Sequence, residues 1–489
     1  MPAWIAALLQ SVEKSSAAHI VRVERADSFA HPKEKGSRFY PRIDRSLFPI
    51  REDALQQVPL STALDRVPQN NPGNPVDLVL HLSKTPPSDK DAPFGTWFFQ
   101  PDLLHGTTCL NATAEEAAVA TASLFAFYGG RALCIDQTHT ALHAYSVARS
   151  NQRLYWTAHT FVPRRLQALQ THGAGAFYRH HGYPVPPTAF ALTERRPFSL
   201  IQFLKRTGRS GIKDWWQSTE WHVHFGTHEN GLPLSFDHFT PLKNPPETYW
   251  ADPFPFVYKD RLFLFFEEYD QRKKKGHISA LPFDQSGPSG PPVRVLETAG
   301  HLSYPFIFTY QDTTYMLPES SDRATIDLYR CTRFPDRWTY DRTLMKGVRA
   351  VDTTLCFHEG LWWLFSCIAA HAQSPARDEL FLYYADSPLS KEWTPHLLNP
   401  VISDVRHARP AGHIFQQNGR SLRPAQDCSH RYGYGLHLRE ITTWNTTQYE
   451  EQTHASWLPQ GKHMGLHTLN RQAPWFFVDI KVRKKKRWF

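Results

Sequence analysis

The sequence predicts two architectures in one chain: an α/β layered domain over its first third and an all-β five-bladed propeller from about residue 218 onward. Three observations predict them. Segments of helical and strand periodicity alternate through residues 1–175, the pattern of helices layered on a largely parallel sheet. Past Glu220 the texture changes to short runs rich in Phe, Tyr, Trp, Leu and Ile, broken by Gly, Asp, Asn and Pro turns. A short head motif then returns at nearly constant spacing, which marks a repeat fold.

In the first third, Trp4, Ile5, Leu8, Leu9 and Val12 share one face of a helix over residues 3–13. Strands are expected at His19–Val23, Leu78–Leu82, Thr96–Phe99 and Ala132–Ile135, and helices at 113–126 and 152–170. A Pro-containing connector at 182–198 leads into a helix at 198–208. The expected domains are 1–175 (α/β), 176–217 (linker with a helix), 218–480 (propeller) and 481–489 (basic tail).

The heads are WADPF around Asp252, LSYPF around Tyr304, AVDTTL around Asp352, HARPAG around Arg409 and MGLHTL around His467, spaced by 52, 48, 57 and 58 residues. Most are followed by a turn (YKDR, YQD, HEG, QNGR) and further strands. A period near 50 with several strands per unit is a propeller blade, and five heads imply five blades. EWHVHFG at 220–226 precedes the first head and can complete the last blade, leaving no open edge.

The net charge of +9 suggests nucleic acid, but its distribution does not. Lys481, Arg483, Lys484, Lys485, Lys486 and Arg487 supply six charges near the C-terminus with no acid among them, leaving about +3 on the rest. No phosphate-reading face is implied. Such a tail suits peripheral contact with an anionic membrane, where each clustered cation gains roughly 1 kcal/mol, or a solvated, frayed end. None of the six cysteines forms a C-x-x-C pair, so they read as small buried residues in a reducing compartment. No run reaches 18 apolar residues, and the start MPAWIAALLQSVEKSS lacks the basic segment and long apolar core of a secretion signal. The expected location is cytoplasmic, with peripheral attachment to the inner membrane open to it. Aromatic residues reach 13%, a composition shared by sheet cores and sugar binders.

The first strand of a propeller blade lines the central channel, so head residues distant in sequence converge on one axial pocket. Asp252 and Asp352 are head carboxylates; Glu319 follows a second strand in LPESS, and Glu267 and Glu268 end the matching strand of blade one. Arg409, Arg423, Asp427, His437 and His467 are the polar partners, with Trp250 and Tyr304 as aromatic contacts. Glycosidic chemistry needs one carboxylic acid to protonate the leaving oxygen and one carboxylate to attack or to activate water. Repulsion and burial keep one of the two protonated. Asp252 is read as base or nucleophile, Asp352 as orienter and pKa modulator, and Glu319 as acid. Arg409 and Arg423 offer planar forks for a phosphate or carboxylate. The structural alternative for Asp252 and Asp352 is turn capping at the blade tops. His463 and His467, four apart on a strand, are not read as a metal pair, and neither metal nor cofactor is expected.

The segments YWADPFPFVYKDRLFLFFEEYD, GHISA, SYPFIF, MLPESS, LYRC, FPDRW, DTTLCFHEGLWWLF, RPAGHIF and RPAQDCSHRYG resemble the N-terminal domain of the glucosamine inositolphosphorylceramide transferase family, seen also in bacterial proteins of surface-polysaccharide gene sets. The resemblance covers about 230 residues. That family is similar in turn to five-bladed glycoside hydrolases of family 43 type, whose first blade opens on Asp-Pro as Asp252-Pro253 does, and whose second Asp corresponds to Asp352. Their acid sits in a Glu-Gly-Pro motif absent here, and Glu319 is the nearest candidate. The first third resembles a formyltransferase-type Rossmann-like domain through PAWIAALLQSV, AHIVRVERAD and SVARSNQRLYWTAHTFVPRRL. Its Asn and His motifs fall at His81 and Gln100, so the Asn-x-His pair is missing, and the fold's first strand is missing too. The resemblance implies a degenerate domain without formyl transfer. The expected function is a carbohydrate-active enzyme of cell-surface polysaccharide or glycolipid synthesis, acting on a sugar or sugar-phosphate, with transfer favoured over hydrolysis. The alternatives are a non-catalytic glycan-binding or scaffolding module, and a formyltransferase acting on a nucleotide-amino sugar.

Overall fold

The computed structural model describes residues 1–23, 44, 49–50, 52–62, 64, 75–83, 87, 92–190, 217–228, 231–369 and 371–485. The helix expected at 198–208 lies outside the described residues. The chain forms two compact units, Met1–Ser210 with Ala370–Pro375, and Gly211–Ala369 with Ala376–Phe489.

In the first unit, helix α1 (Ala3–Glu13) buries Trp4, Ile5, Leu8 and Val12 as its periodicity requires. Five strands follow: β1 (Val79–His81), β2 (Thr96–Phe99), β3 (Val119–Tyr128), β4 (Arg131–Ala141) and β5 (Tyr183–Pro184), hydrogen-bonded in that order. Helices α2 (Pro101–His105) and α3 (Thr108–Ala114) connect β2 to β3, while α4 (Val147–Ala158) and α5 (Phe161–His181) follow β4. The expectation of a largely parallel sheet is corrected. Among the described residues only β1 and β2 run parallel, and the other pairs are antiparallel. The cause is local. Gly129 and Gly130 both take positive φ, 58° and 69°, the pair that closes a two-residue hairpin, so β4 must return beside β3. The helix expected at 113–126 is for the same reason mostly strand β3, whose central residues are buried as in an interior strand. His19–Val23 forms no strand. The helical pattern at 152–170 divides into α4 and α5, separated by His159 and Thr160.

The second unit is built of sheets. Strands β6 (Gln217–Thr227) and β7 (Thr240–Pro241) come first in the chain but join the last sheet. Sheet one is β8 (Thr248–Tyr258), β9 (Arg261–Asp270) and β10 (Lys275–Asp284), edged by β11 (Gly287–Pro288) and β12 (Val293–Leu296). Sheet two is β13 (Ser303–Tyr310), β14 (Thr313–Glu319), β15 (Thr325–Arg333) and β16 (Arg337–Lys346). Sheet three is β17 (Ala350–His358), β18 (Leu361–Ile368) and β19 (Glu379–Ala385), edged by β20 (Thr394–Pro395) and β21 (Ile402–Ser403). Sheet four is β22 (Phe415–Gln417), β23 (Arg420–Asp427), β24 (Gly435–Trp444) and β25 (Tyr449–Trp457). Sheet five is β26 (His463–Gln472), β27 (Trp475–Lys485), β6 and β7.

Strand β6 therefore completes sheet five as its position before the first head suggests, with Phe225 opposite Phe477 and His224 opposite Val478. The sheets pack in succession. Phe265 and Met316 share a core across sheets one and two, to which Leu355 and Leu364 of sheet three belong. Phe365 and Leu380 meet Ile441 and Trp444 between sheets three and four. Leu422 and Leu438 meet Leu466 and Phe476 between four and five. Val223 and Phe477 of sheet five meet Leu264 and Phe266 of sheet one. The fifth sheet thus packs back on the first, in a propeller-like arrangement. Each of these fully buried side chains contributes about 1.5–3 kcal/mol by leaving water. The expected basic tail is shorter than read: residues 481–485 continue β27 opposite Gln217–Trp221 rather than fraying. All six cysteines are free, and among the described residues no helix is long and apolar enough to cross a membrane.

Candidate active site

Four of the five heads are β-bulges; the Arg409 head lies outside the strands, ahead of β22. The inner strand shifts register between Ala251 and Phe254, Ser303 and Phe306, Val351 and Thr354, and Leu466 and Leu469. Asp252, Tyr304 and Asp352 take positive φ there, at 50°, 46° and 51°. Such conformations cost of order 1–3 kcal/mol in a non-glycine residue and persist only where the surroundings hold them. What holds them is the neighbouring sheet, because each bulge turns a backbone N–H out of its own ladder. The Asp252 N–H donates to Oδ2 of Asp479 in sheet five at 2.9 Å. The Tyr304 N–H donates to Oδ2 of Asp252 in sheet one at 3.1 Å. The Asp352 N–H donates to Oε2 of Glu319 in sheet two at 3.3 Å. A carboxylate of one sheet fastens the strained head of the next, and this draws the acids together.

Four side chains surround Asp352 and Asp252. Arg409 donates to Asp352 from Nε at 2.5 Å and from its terminal nitrogen at 3.2 Å, and Gln426 donates to Oδ2 at 2.9 Å. Thr468 donates its hydroxyl to Oδ1 of Asp252 at 2.6 Å, and His467 Nε2 lies 3.4 Å from the same oxygen. His467 Nδ1 pairs with Asp479 at 2.5 Å. Below them the Tyr304 hydroxyl accepts from the Gly412 N–H at 2.7 Å and bonds Thr354 at 2.8 Å, so one fully buried phenol ties sheets two, three and four. Above, Trp221 stacks on His467 at 4.6 Å and Arg409 lies 4.9 Å from the centre of the Tyr432 ring, a residue 37% exposed.

Burial and crowding separate the acids. Burial, with Asp479 and Asp352 nearby and His467 opposing, pushes Asp252 up to about 6. Glu319 is held well above the usual carboxylate range by burial and the Asp352 charge, against Arg409. Glu267 is held there by burial and by Asp252, Glu319, Asp479 and Asp352. For His467 burial would lower the value, but Asp479 and Asp252 outweigh it and raise it to about 9. Carboxyls pushed well above the usual range beside others neutralised by Arg409 and His467 are the pairing that acid–base chemistry requires.

These shifts set a pH dependence. Each of the four groups has a folded-state value above its unfolded one, so each favours the fold while protonated and loses that contribution as pH rises. For His467 the contribution is full below about 6.5 and gone above about 9. Depressed histidines such as His224 and His407, both near 4, act only below about 6.5. The thermal midpoint of the second unit should therefore fall between pH 7 and 9, and His467→Gln should flatten that slope. A midpoint that rises or stays constant over this window contradicts the assignment.

Asp252, Asp352, Arg409, His467 and Tyr304 of the heads come together, Glu319 joins them from a second strand, and Tyr304, fully buried and spent on Thr354 and Gly412, is a structural tie rather than the ligand contact expected. Four expected residues, Arg423, Asp427, His437 and Trp250, do not join them. Arg423, 1% exposed in its side chain, is spent inside sheet four on Glu451, at 2.9 and 2.8 Å, and on the His407 carbonyl at 2.7 Å. Asp427 accepts from the Ser429 N–H at 2.8 Å and faces His437 at 3.5 Å. Trp250 packs on Phe266 at 4.6 Å in the core between sheets five and one. Strand alternation explains the pair on β23: Gln426 faces Asp352, so Arg423 and Asp427, at odd offsets from it, point away. The sequence reading left out Asp479, Gln426, Trp221 and Tyr432, and named Glu267 and Glu268 together without choosing between them. Glu267 lies opposite Ala251 as Glu319 lies opposite Ser303, so aligning the second strands of the first two blades reveals it.

Asp252, His467 and Asp479 offer ligand atoms within 4.8 Å of one another. Both Asp479 oxygens already accept backbone N–H groups, from Asp252, His467 and Thr468, and both Asp252 oxygens accept from Tyr304 and Thr468. An imidazole raised to about 9 is a cation near neutrality and no ligand. The trio fits an ion-pair network better than a metal site.

Residues 240–471 match the family model described as "Glucosamine inositolphosphorylceramide transferase 1, N-terminal". Glucosamine inositolphosphorylceramide transferase 1 of Arabidopsis thaliana is 34% identical over 209 residues, which are 42% of this chain and 27% of that protein. The protein of the same name from Oryza sativa subsp. japonica is 36% identical over 209 residues, 42% of this chain and 28% of its own. The chain thus spans little more than a quarter of the curated relatives it matches. Among solved structures, the catalytic domain of a Coprinopsis cinerea GH62 α-L-arabinofuranosidase aligns over 54% of this chain and 96% of its own, with 13% identity and a TM-score of 0.36. The RS223 β-xylosidase aligns over 48% and 94%, with 13% identity and a TM-score of 0.34. The family match does not reach residues 1–239. Over residues 240–471 the chain is similar to the N-terminal domains of the glucosamine inositolphosphorylceramide transferase 1 family.

Proposed function

We propose that the second unit is a five-bladed propeller whose convergent acids carry out sugar chemistry in the synthesis of a cell-surface polysaccharide or glycolipid. The observation that carries this reading is the convergence of Asp252, Glu319 and Asp352 from three separate sheets, with one acid neutralised by Arg409 and another held protonated. Asp252 acts as base or nucleophile. Asp352, gripped by Arg409 and Gln426, orients the site and tunes its neighbours. Glu319 donates the proton to the leaving oxygen. Transfer is preferred to hydrolysis because the matched relatives are named as transferases. That name also proposes an acceptor of the phosphoinositol-glycolipid class and an amino-sugar donor. Arg409 and Tyr432 supply a cation and an open ring face beside the acids. The propeller boundaries are proposed at 218–480. The first unit is proposed as a degenerate formyltransferase-like layer that transfers no formyl group, since Asn-x-His is absent.

A second reading, glycan binding without turnover, is favoured by one observation: every carboxylate oxygen of Asp252 and Asp352 already has a partner within the protein. Incubating the purified chain with nucleotide-sugar donors and lipid extract, and separately with aryl glycosides, distinguishes the readings. A sugar-extended lipid supports transfer, cleaved aryl glycoside supports hydrolysis, and retention of lipid-linked glycan without either product supports binding.

A further inference from the structure

Glu267 differs from the acids around it. Asp252, Asp352, Glu319 and Asp479 all accept hydrogen bonds from named protein donors. Among the described residues Glu267, 6% exposed, accepts none, and its paired neighbour is His301, whose Nε2 lies 3.5 Å from Oε1. His301 is held in one tautomer. Its Nδ1 accepts the Gly276 N–H at 2.9 Å, so the ring proton must sit on Nε2, the nitrogen that faces Glu267. The His301 side chain is 33% exposed, which links the pair to solvent. Position 276 is shaped for the pair. A Cβ there would lie 2.6 Å from the Leu302 carbonyl oxygen, which makes a glycine necessary, and 2.7 Å from Oε1 of Glu267 and 2.8 Å from Cε1 of His301, so its absence also leaves room for the pair.

We propose that Glu267 is a further proton carrier of this site, its proton on Oε2 and its Oε1 facing, at 3.5 Å, the neutral Nε2–H of His301, which acts as a positioning residue. The role rests on the sugar-chemistry reading above. In the step, the Oε2–H bond breaks as its proton moves to a ligand oxygen, and the carboxylate that remains draws in the His301 N–H that faces Oε1. The reverse step takes a proton from an incoming hydroxyl and restores Oε2–H. Two electrostatic facts agree. Burial and the charges of Asp252, Glu319, Asp479 and Asp352 hold Glu267 protonated, with the Tyr249 phenol also facing it. Burial lowers His301, against Asp322, so the ring stays neutral and cannot itself supply the proton.

The test is a pH titration of the full chain with 13C-carboxyl glutamate and 15N-imidazole histidine, Glu267 being assigned by its loss in Glu267→Gln. The expected result is a Glu267 midpoint above that of ordinary glutamates and an Nε2–H pattern for His301 through neutrality. His301→Ala should raise the Glu267 midpoint by about half a pH unit or more, since it removes a donor to the charged form, and His301→Gln should restore it. An ordinary Glu267 midpoint, or one unmoved by His301→Ala, overturns the proposal. Glycan output separates its failure from that of the wider reading. If Asp252→Asn abolishes output while Glu267→Gln leaves output and its pH profile intact, this proposal alone fails. If Asp252→Asn changes nothing, the sugar-chemistry reading falls and the proton transfer built on it falls too.

Discussion

Asp252→Asn lowers the rate of sugar processing by about 10²–10⁴-fold, the range expected when a positioned acid–base or nucleophilic group is removed, and leaves the protein folded. The side chain keeps its size, and its amide oxygen can still accept the Tyr304 N–H that now bonds Oδ2 at 3.1 Å. What is lost is the negative charge 3.4 Å from His467 Nε2 and the basic oxygen. His467 keeps Asp479 at 2.5 Å, so the cation does not become an orphan. Initial rates with the donor and acceptor identified by the incubation above, alongside a thermal melt, check both halves. A folded variant within threefold of wild type contradicts the role given to Asp252.

The second large effect lies away from the cluster of acids. Glu451→Gln destabilises the second unit by about 3–5 kcal/mol, because it leaves two buried guanidinium groups without their counter-charge. Glu451 accepts from Arg423 at 2.9 and 2.8 Å, from Arg439 at 2.8 Å and from the Tyr449 hydroxyl at 2.8 Å. Burial alone would raise its carboxyl, and the two arginines instead hold it below the usual range. Replacing Arg423 and Glu451 together by methionine should recover part of the loss, since an apolar pair of similar volume strands less charge than a broken ion pair. Urea unfolding of the single and double variants measures both. A cost below about 1 kcal/mol for Glu451→Gln would place this network with surface pairs and would reopen Arg423 as a ligand contact.

The repeat was readable because a bulged head must recur wherever a sheet begins, so Asp252, Tyr304 and Asp352 stood out at nearly even spacing. Closure by β6 was readable because its apolar alternation stood before the first head without a partner of its own. Side-chain direction on the second strands was less so. A reading from residue types makes RPAQD one polar string, whereas the pleat sends Gln426 to Asp352 and Arg423 to Glu451. Trp250 lies next to the bulge, where alternation breaks, and goes into the core instead. Asp479 was hidden as a single acid in the apolar run FVDI, although a fully buried acid there must find donors, and it finds three backbone N–H groups. In the first third the alanine-rich stretch before Tyr128 mimics a helix, but the Gly129-Gly130 pair that follows dictates a hairpin, and pairing on both sides of β3 overrides the local preference.

Acids from different sheets that serve one cavity must fail together, whereas acids that cap separate turns fail independently. The direct measurement is a double-mutant cycle on glycan output from producing cells, with Asp252→Asn, Asp352→Asn and the two combined, each shown to be folded. The double variant should be no more impaired than the worse single one, as for groups that act as a unit. Losses that multiply, or folded variants with unchanged glycan, would show that Asp252 and Asp352 do not share a site.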